Sequence, residues 1–170
     1  MAVQTFLSFK GVEHRIGGHQ RLVVGNPVRA GWQRMDRAEA RRRCELDPDR
    51  PTLLVVGGSQ GAAGINRAVA EALPSLMEQA YQVFWQTGKS GYETAVSTAE
   101  AWKGRVIVKE FIDDMQAACS AADLALTRAG AMTLAEQSLL GVAAILVPLP
   151  TATEKHQEYN ARARVREGAA

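Results

Sequence analysis

TLLVVGGSQG, residues 52–61, decides the fold of this chain, because an apolar run passes directly into a glycine-rich turn. The pattern predicts a buried strand over Thr52–Val56 and a helix over about residues 62–79. A helix that opens after such a turn aims backbone N–H groups and a positive dipole end at one spot. The turn has three interpretations: a phosphate or diphosphate cradle with Ser59 and Gln60 as extra donors, a nucleophile elbow of the G-x-S-x-G type, or a bare turn.

The same strand, turn and helix pattern recurs along the rest of the chain. Further strands are predicted at Tyr81–Trp85, Arg105–Val108, Leu124–Leu126 and Ala144–Val147, and a last helix at about Glu154–Glu167. Strands that alternate with helices predict an α/β fold with a Rossmann-like open parallel sheet and helices on both faces. In such a sheet the turns after the strands line one crevice at their carboxyl ends.

Residues 1–24 read poorly as an independent unit and contain two candidate strands, Val3–Phe9 and Arg21–Val24. A turn at Gly25–Arg29 and a helix at about Arg37–Glu45 follow. We expect a further edge strand and its covering helix to follow the last predicted helix, and both ends to be cuts through a larger protein.

Composition places the chain among ordinary globular proteins. Of its 170 residues, 46% are hydrophobic and 22% charged, with a net charge of +2 and no basic stripe interleaved with aromatic residues. This balance excludes nucleic acid as an expected partner. Cys44 and Cys119 have no metal or redox spacing, and no apolar run suits a membrane span or a signal peptide. We expect reduced thiols, no metal site and a cytoplasmic location.

The nucleophile-elbow interpretation needs an acid and a histidine downstream of Ser59. Asp123 and His156 supply that order. Asp123 precedes its predicted strand, so it is expected about 17 Å from Ser59, at the opposite edge of the sheet. Asp113 and Asp114 follow their strand and keep the alternative open.

The stretch TRAGAMTLAE, residues 127–136, is the richest in polar groups. Thr133–Glu136 fits a capping box, which predicts that a helix begins at Thr133. The Glu136 carboxylate could in addition accept hydrogen bonds from a ribose diol. Arg128 is either a phosphate partner or an ordinary surface arginine.

Two other stretches have a plain and a ligand-binding interpretation. Ile112 either packs on a base or belongs to the core. Gln157 and Asn160 either bind a ligand or form the polar start of the last helix.

Taken together, these residues resemble the bacterial peptidoglycan glycosyltransferases of family 28, which have a GT-B fold of two Rossmann-like domains. The matching segments are Gly25–Arg29, Val55–Ala62, Glu110–Met115, Arg128–Thr133 with Glu136, and His156–Ala161. The resemblance implies that residues 1–24 are the tail of an N-terminal acceptor domain and residues 25–51 a linker and helix. Residues 52–170 would be the donor-binding C-terminal half, incomplete at its end.

The resemblance also implies a donor, UDP-N-acetylglucosamine, and residues that hold it. Arg29, Ser59 and Gln60 would lie near the diphosphate, and Ile112 in the uracil pocket. Residues 131–136 would lie under the diphosphate and ribose, with Glu136 on the ribose hydroxyls. Gln157 and Asn160 would contact the sugar hydroxyls. The complete implied set is Arg29, Ser59, Gln60, Ile112, Ala131, Met132, Thr133, Leu134, Ala135, Glu136, Gln157 and Asn160.

The implied reaction is an inverting transfer to the 4-hydroxyl of a lipid-linked muramoyl-pentapeptide, which converts lipid I to lipid II in cell-wall synthesis. It implies no metal or cofactor. The base and the membrane-contacting face would belong to the N-terminal domain, on the cytoplasmic side of the membrane. We expect this chain alone to bind the donor weakly and to be inactive. The alternatives are another UDP-sugar enzyme of the GT-B class and a nucleotide-binding module without catalysis.

Overall fold

The computed structural model describes residues 4–8, 20–58, 61–152, 155–166 and 168. Near the N-terminus, β1 (Thr5–Leu7) and β2 (Arg21–Val23) form a two-stranded parallel sheet. The main sheet has five strands: β3 (Thr52–Val56), β4 (Gln82–Gln86), β5 (Val106–Lys109), β6 (Leu124–Thr127) and β7 (Ala143–Leu146). Its order is β5-β4-β3-β6-β7, and every neighbouring pair is parallel.

This strand order contains one reversal of direction. From β3 the chain adds β4 and β5 on one side, then crosses back to place β6 and β7 on the other. Leu54 at the centre of β3 therefore aligns with Phe84 on one side and with Ala125 on the other. Ligands of open parallel sheets bind outside the carboxyl ends of the strands at such a switch point. A ligand site is therefore expected in the gap between the turns after β3 and β6.

Helices cover both faces of the sheet because the side chains of β3 alternate. Leu54 and Val56 point into a core formed with α1 and α4, whereas Leu53 and Val55 point into a second core formed with α2 and α3. The helices are α1 (Arg37–Arg43), α2 (Ala63–Glu78), α3 (Tyr92–Ala99), α4 (Met115–Ala121), α5 (Ala131–Leu140) and α6 (His156–Arg166). Buried alanines of α4 let α1 approach closely.

Asp123 holds the opposite, amino edge of the sheet together. Its carboxylate accepts hydrogen bonds from Arg41 at 2.5 Å, from Arg37 at 2.7 Å and from the N–H of Thr52 at 2.7 Å. Arg41 is buried and also donates to the carbonyls of Ala121 and Pro48. The arginines of α1 thus join this helix to the starts of β3 and β6.

The structure confirms the predicted fold class, and the strand bounds differ by about one residue from those expected. The predicted capping box is wrong. Gly130 is the N-cap residue of α5, and the N–H of Leu134 makes the first helical bond, to the carbonyl of Gly130. Thr133 is therefore already inside the helix and Glu136 lies in its second turn. Helix α5 therefore begins at Ala131, two residues before the predicted start.

Predicted strand Val3–Phe9 is shorter in the structure, at Thr5–Leu7, and its outer residues Val3 and Phe9 lie outside the described residues. The same holds for Glu154 and Glu167, the predicted ends of the last helix. Helix α1 ends at Arg43, two residues before the predicted end, and Cys44 is its C-cap.

Candidate functional site

The turn after β3 can be built only from glycine at two positions. Gly61 has φ of +75°, and a Cβ atom there would lie 2.1 Å from the carbonyl oxygen of Thr87. A Cβ atom on Gly57 would lie 2.7 Å from the nitrogen of Ala62. The turn is therefore pressed against the loop after β4. Ser59 and Gln60 lie outside the described residues, so their predicted role as extra donors stays a prediction.

Gln86, the last residue of β4, joins the loops on either side of it. Its side chain is 2% exposed, its Nε2 atom donates to the carbonyl of Gly58 at 3.1 Å, and its Oε1 atom accepts from the N–H of Ile112 at 2.9 Å. One buried amide thus holds the glycine turn and the loop after β5 in register. Sequence reasoning missed this residue; the signal was a glutamine that ends an apolar strand.

Asn66 fixes the first turns of α2 to the same region. Its Nδ2 atom donates to the carbonyl of Thr87 at 2.9 Å, and its Oδ1 atom accepts from the indole of Trp85 at 3.1 Å. The carboxyl ends of β3, β4 and β5 therefore form one interlocked unit with the helix that follows the glycine turn.

The loops after β6 and β7 form a second unit with α6. Arg128 donates from Nη1 to the carbonyls of Val147 and Pro148, at 3.2 and 3.1 Å. Gln157 accepts from the N–H of Leu149 at 3.0 Å, and Asn160 donates to the carbonyl of Ala129 at 3.0 Å. Arg128 therefore joins the loop after β6 to the loop after β7. Gln157 and Asn160 each use one end of the side-chain amide to hold α6 against these loops.

The side chains of the predicted segment 131–136 lie in different surroundings around helix α5. Leu134 is 3% exposed and packs with Ala129 and Ala161, whereas Met132 is 47% exposed. Ala131 and Ala135 line a groove of about 380 Å³. Thr133 and Glu136 line a separate cavity of about 40 Å³.

Both of these spaces connect α5 to other parts of the chain. In the groove, Ala131 and Ala135 face Asn26 and Val28 of the turn before α1. In the cavity, Thr133 and Glu136 face Thr127 at the end of β6. The N–H groups of residues 131–133 precede the first helical bond and have no partner within the helix.

Glu136 of α5 and Arg29 of the turn before α1 lie near enough for their charges to interact, and the roles that the resemblance implies for them stay predictions. Burial raises the pKa of the Glu136 carboxyl above its ordinary value, and the positive charge of Arg29 opposes this shift. The Arg29 guanidinium stacks on Trp32, with its central carbon 5.4 Å from the ring centroid. A cation and a carboxylate thus lie beside the first turns of α5 at the carboxyl edge.

The loop after β5 carries Ile112, whose predicted place in the uracil pocket stays a prediction. The side chain of Ile112 is 5% exposed and belongs to the core, and its N–H is held by Gln86. The neighbouring Phe111 is 54% exposed. An apolar surface for a base at this loop would therefore come from Phe111, which sequence reasoning placed in the same stretch without selecting it.

Residues 52–170 match the family model described as the glycosyltransferase family 28 C-terminal domain. The chain belongs to this family. One curated relative, from Alkaliphilus oremlandii, is named UDP-N-acetylglucosamine–N-acetylmuramyl-(pentapeptide) pyrophosphoryl-undecaprenol N-acetylglucosamine transferase. It is 41% identical over 96% of this chain and 46% of its own length. A relative of the same name from Prosthecochloris aestuarii is 45% identical over 88% of this chain and 40% of its own length.

A solved structure gives the same picture. The crystal structure titled Acinetobacter baumannii MurG superposes with a TM-score of 0.70 at 32% identity, over 98% of this chain and 45% of that one. The family 28 chain therefore spans about half the length of the relatives and of the solved structure that it matches.

The geometry of this family 28 chain speaks against the nucleophile-elbow interpretation. Asp123, the acid expected in the right chain order, lies at the amino edge and is paired with two arginines. Asp114 caps α4 by accepting from the N–H of Ala117 at 2.9 Å. Asp123 and Asp114 therefore both have structural partners, and Asp113 is the acid that keeps this alternative open.

Among the residues that the structure describes, no group of three or more His, Cys, Asp and Glu side chains could hold a metal ion. No helix in this part of the chain combines the length and the apolar character that crossing a membrane requires. Cys44 and Cys119 are both buried and unbonded to each other, and burial raises their pKa to about 11 and about 12. Their thiols therefore stay protonated at neutral pH.

Proposed function

We propose that this chain is the donor-binding half of a peptidoglycan glycosyltransferase that transfers N-acetylglucosamine from UDP-N-acetylglucosamine to a lipid-linked muramoyl-pentapeptide. One observation carries the proposal: Asn26 and Val28, directly before Arg29, share a groove with Ala131 and Ala135 in the first turns of α5, the helix that follows β6 beyond the switch point of the sheet. Family membership and the names of the relatives, which cover about twice the length of this chain, support the choice of reaction.

The diphosphate of the donor is proposed to bind at the N-terminus of α5, at the carboxyl edge of the sheet. Helix N-termini bind anions through unpaired N–H groups and the helix dipole. The N–H groups of residues 131–133 and the guanidinium of Arg29 supply such donors without a metal ion. Ser59 and Gln60 are proposed to add donors from the turn after β3.

The nucleoside and the sugar would lie on either side of the diphosphate. Glu136 accepts hydrogen bonds from the two ribose hydroxyls, and the uracil rests against the loop that contains Phe111 and Ile112. Gln157 and Asn160 of α6 approach the hydroxyls of the transferred sugar. Their position is supported by the bonds that tie α6 to the loops after β6 and β7.

The proposed reaction is a single inverting displacement. The acceptor 4-hydroxyl oxygen bonds to the anomeric carbon, the bond from that carbon to the phosphate oxygen breaks, and the hydroxyl proton passes to a base. UDP leaves with the bonding electrons, and its developing charge is stabilised by the α5 N–H groups and Arg29. The base, the acceptor site and contact with the cytoplasmic face of the membrane are proposed to belong to the other half of the enzyme.

Calorimetry on the chain tests this proposal. We expect weak binding of UDP and UDP-N-acetylglucosamine, and weaker binding of UDP-glucose. Glu136→Ala should weaken UDP binding by about tenfold or more, because a hydrogen bond to a charged group contributes about 1.5–3 kcal/mol. Glu93→Ala, the same change on the exposed first turn of α3, is the matched control and should bind like the parent.

Four outcomes would count against the proposal. Equal binding by Glu136→Ala and the parent would remove the ribose role, and absence of UDP binding would remove the site. Preference for UDP-glucose would point to a different UDP-sugar enzyme. Transfer of labelled sugar to the lipid acceptor by this chain alone would contradict the assignment of the base to the other half.

A further inference from the structure

Arg29 and Trp32 occupy the two ends of one tight turn. The N–H of Trp32 donates to the carbonyl of Arg29 at 3.3 Å, and Gly31 between them has φ of +82°. A positive φ at the third position is the mark of a type II turn, which glycine adopts without strain. The short sequence Arg29-Ala30-Gly31-Trp32 therefore sets its first and last side chains next to each other.

Trp32 is anchored while Arg29 is not. The indole ring packs against the core cluster that lies between α1, α4 and the sheet. The Arg29 guanidinium lies over that ring, 5.4 Å from its centroid. Among the described residues, no carboxylate comes within ion-pair distance of Arg29, although most other arginines of residues 34–50 have one. The N–H donors of Arg29 are therefore available to a ligand.

The turn also lies where an anion would bind in the proposed site. Residues Asn26 and Val28, directly before it, share a groove with Ala131 and Ala135 in the first turns of α5. The helix is ten residues long, so its N-terminus has a full dipole. Arg29 thus stands beside an N-terminus that already favours negative charge.

We infer that Trp32 is a positioning residue: it holds the Arg29 guanidinium, by stacking, in the orientation that receives the diphosphate of a nucleoside diphosphate ligand. The inference rests on the proposed function and assigns a device that serves it. A free arginine side chain loses rotamer freedom when it binds an anion, and a stacked one has lost part of that freedom already. The planar guanidinium can stack on the ring and still direct its N–H groups sideways to an oxygen atom.

The test compares ligands that differ only in the diphosphate. Calorimetry with UDP, and competition with uridine, are measured for the parent chain, Trp32→Leu and Trp32→Phe. We expect Trp32→Leu to weaken UDP binding about two- to fivefold, the usual effect of an exposed cation–π contact. Uridine binding should stay unchanged. Trp32→Phe keeps an aromatic face and should restore most of the UDP affinity.

A purely structural effect of the substitution is separated by a second background. In Arg29→Ala, the change Trp32→Leu should have no further effect on UDP binding, because no guanidinium is left to hold. Gly31→Ala should reproduce the loss of Trp32→Leu with the ring present, because it strains the turn while its Cβ atom meets no neighbour.

The outcomes distinguish this inference from the proposal under it. If the parent chain binds UDP no better than uridine, the proposed diphosphate site itself fails. If the parent prefers UDP and Trp32→Leu keeps that preference in full, only the role of Trp32 is overturned. Equal losses for UDP and uridine would also overturn it, since they would indicate a general disturbance of the fold.

Discussion

Gln86 offers the sharpest test of how the candidate site is held together. Replacing it with methionine keeps the length and volume of the side chain but removes both hydrogen bonds. The N–H of Ile112 then stays buried without an acceptor, and the carbonyl of Gly58 loses its donor. The glycine turn after β3 should lose its connection to the loop after β5.

The loss of each hydrogen bond should lower the free energy of unfolding by a different amount. A buried N–H left without a partner costs about 1–3 kcal/mol, while a carbonyl that water can reach loses only about 0.5–1.5 kcal/mol. Together these give about 2–4 kcal/mol of lost stability for Gln86→Met. Because the turn is part of the proposed site, UDP binding should weaken as well.

Urea unfolding followed by circular dichroism measures this loss. Gln116→Met is the matched control, since the Gln116 side chain makes one exposed hydrogen bond to the carbonyl of Gln33. It should change stability by no more than about 0.5 kcal/mol. A Gln86→Met variant as stable as this control would refute the reasoning that one buried amide joins the two loops.

Three further predictions use the same unfolding measurement. Gly61→Ala should lower the free energy of unfolding by about 2 kcal/mol or more, because its Cβ atom would lie 2.1 Å from a backbone carbonyl oxygen and its φ is positive. Gly64→Ala is the control, because a Cβ atom there meets no neighbour, and it should not destabilise the fold. Equal losses of stability in the two variants would contradict this account. Arg41→Met should lower the free energy of unfolding by about 2–3 kcal/mol, which is less than the usual loss for a broken buried ion pair because Asp123 is partly exposed. An unchanged stability would mean that the pair does not stabilise the amino edge of the sheet. The raised pKa of Glu136 implies stability that is present below its unfolded pKa and lost as pH rises through the folded one. Relative to the parent, Glu136→Gln should therefore gain stability as the pH rises above about 4.3, the ordinary pKa of a glutamate, and a difference that does not change with pH would contradict the shift.

The fold could be predicted to a large extent because its signals are local. Each apolar run such as Thr52–Val56 passes into a turn, and this alternation of strands and helices is enough to predict a parallel sheet. The start of α5 could not be read from Thr133 and Glu136, because the first helical bond forms three residues before Thr133, at the carbonyl of Gly130. The N-cap residue there makes no side-chain hydrogen bond, so the capping-box pattern does not mark the start.

The candidate site was predictable only where it depends on chain order. The turns after β3 and β6 had to meet at one edge, which places the glycine turn and the first turns of α5 at the same end of the sheet. The roles of Gln86 and Arg128 depend on which loops lie side by side, and strand order is not written in any one segment. Ile112 shows the same limit: the exposed neighbour Phe111 and the buried isoleucine differ only by the direction in which the loop turns.

The central claim is that UDP binds at the carboxyl edge of the sheet, between the turns after β3 and β6. Titration of the isotope-labelled chain with UDP, followed by two-dimensional amide NMR, tests it most directly. The account predicts progressive shifts at Gly57, Gly58 and Gly61 and at Ala131 and Thr133, with the amino edge unaffected. Shifts confined to the amino edge, or a spectrum that UDP leaves unchanged, would contradict it.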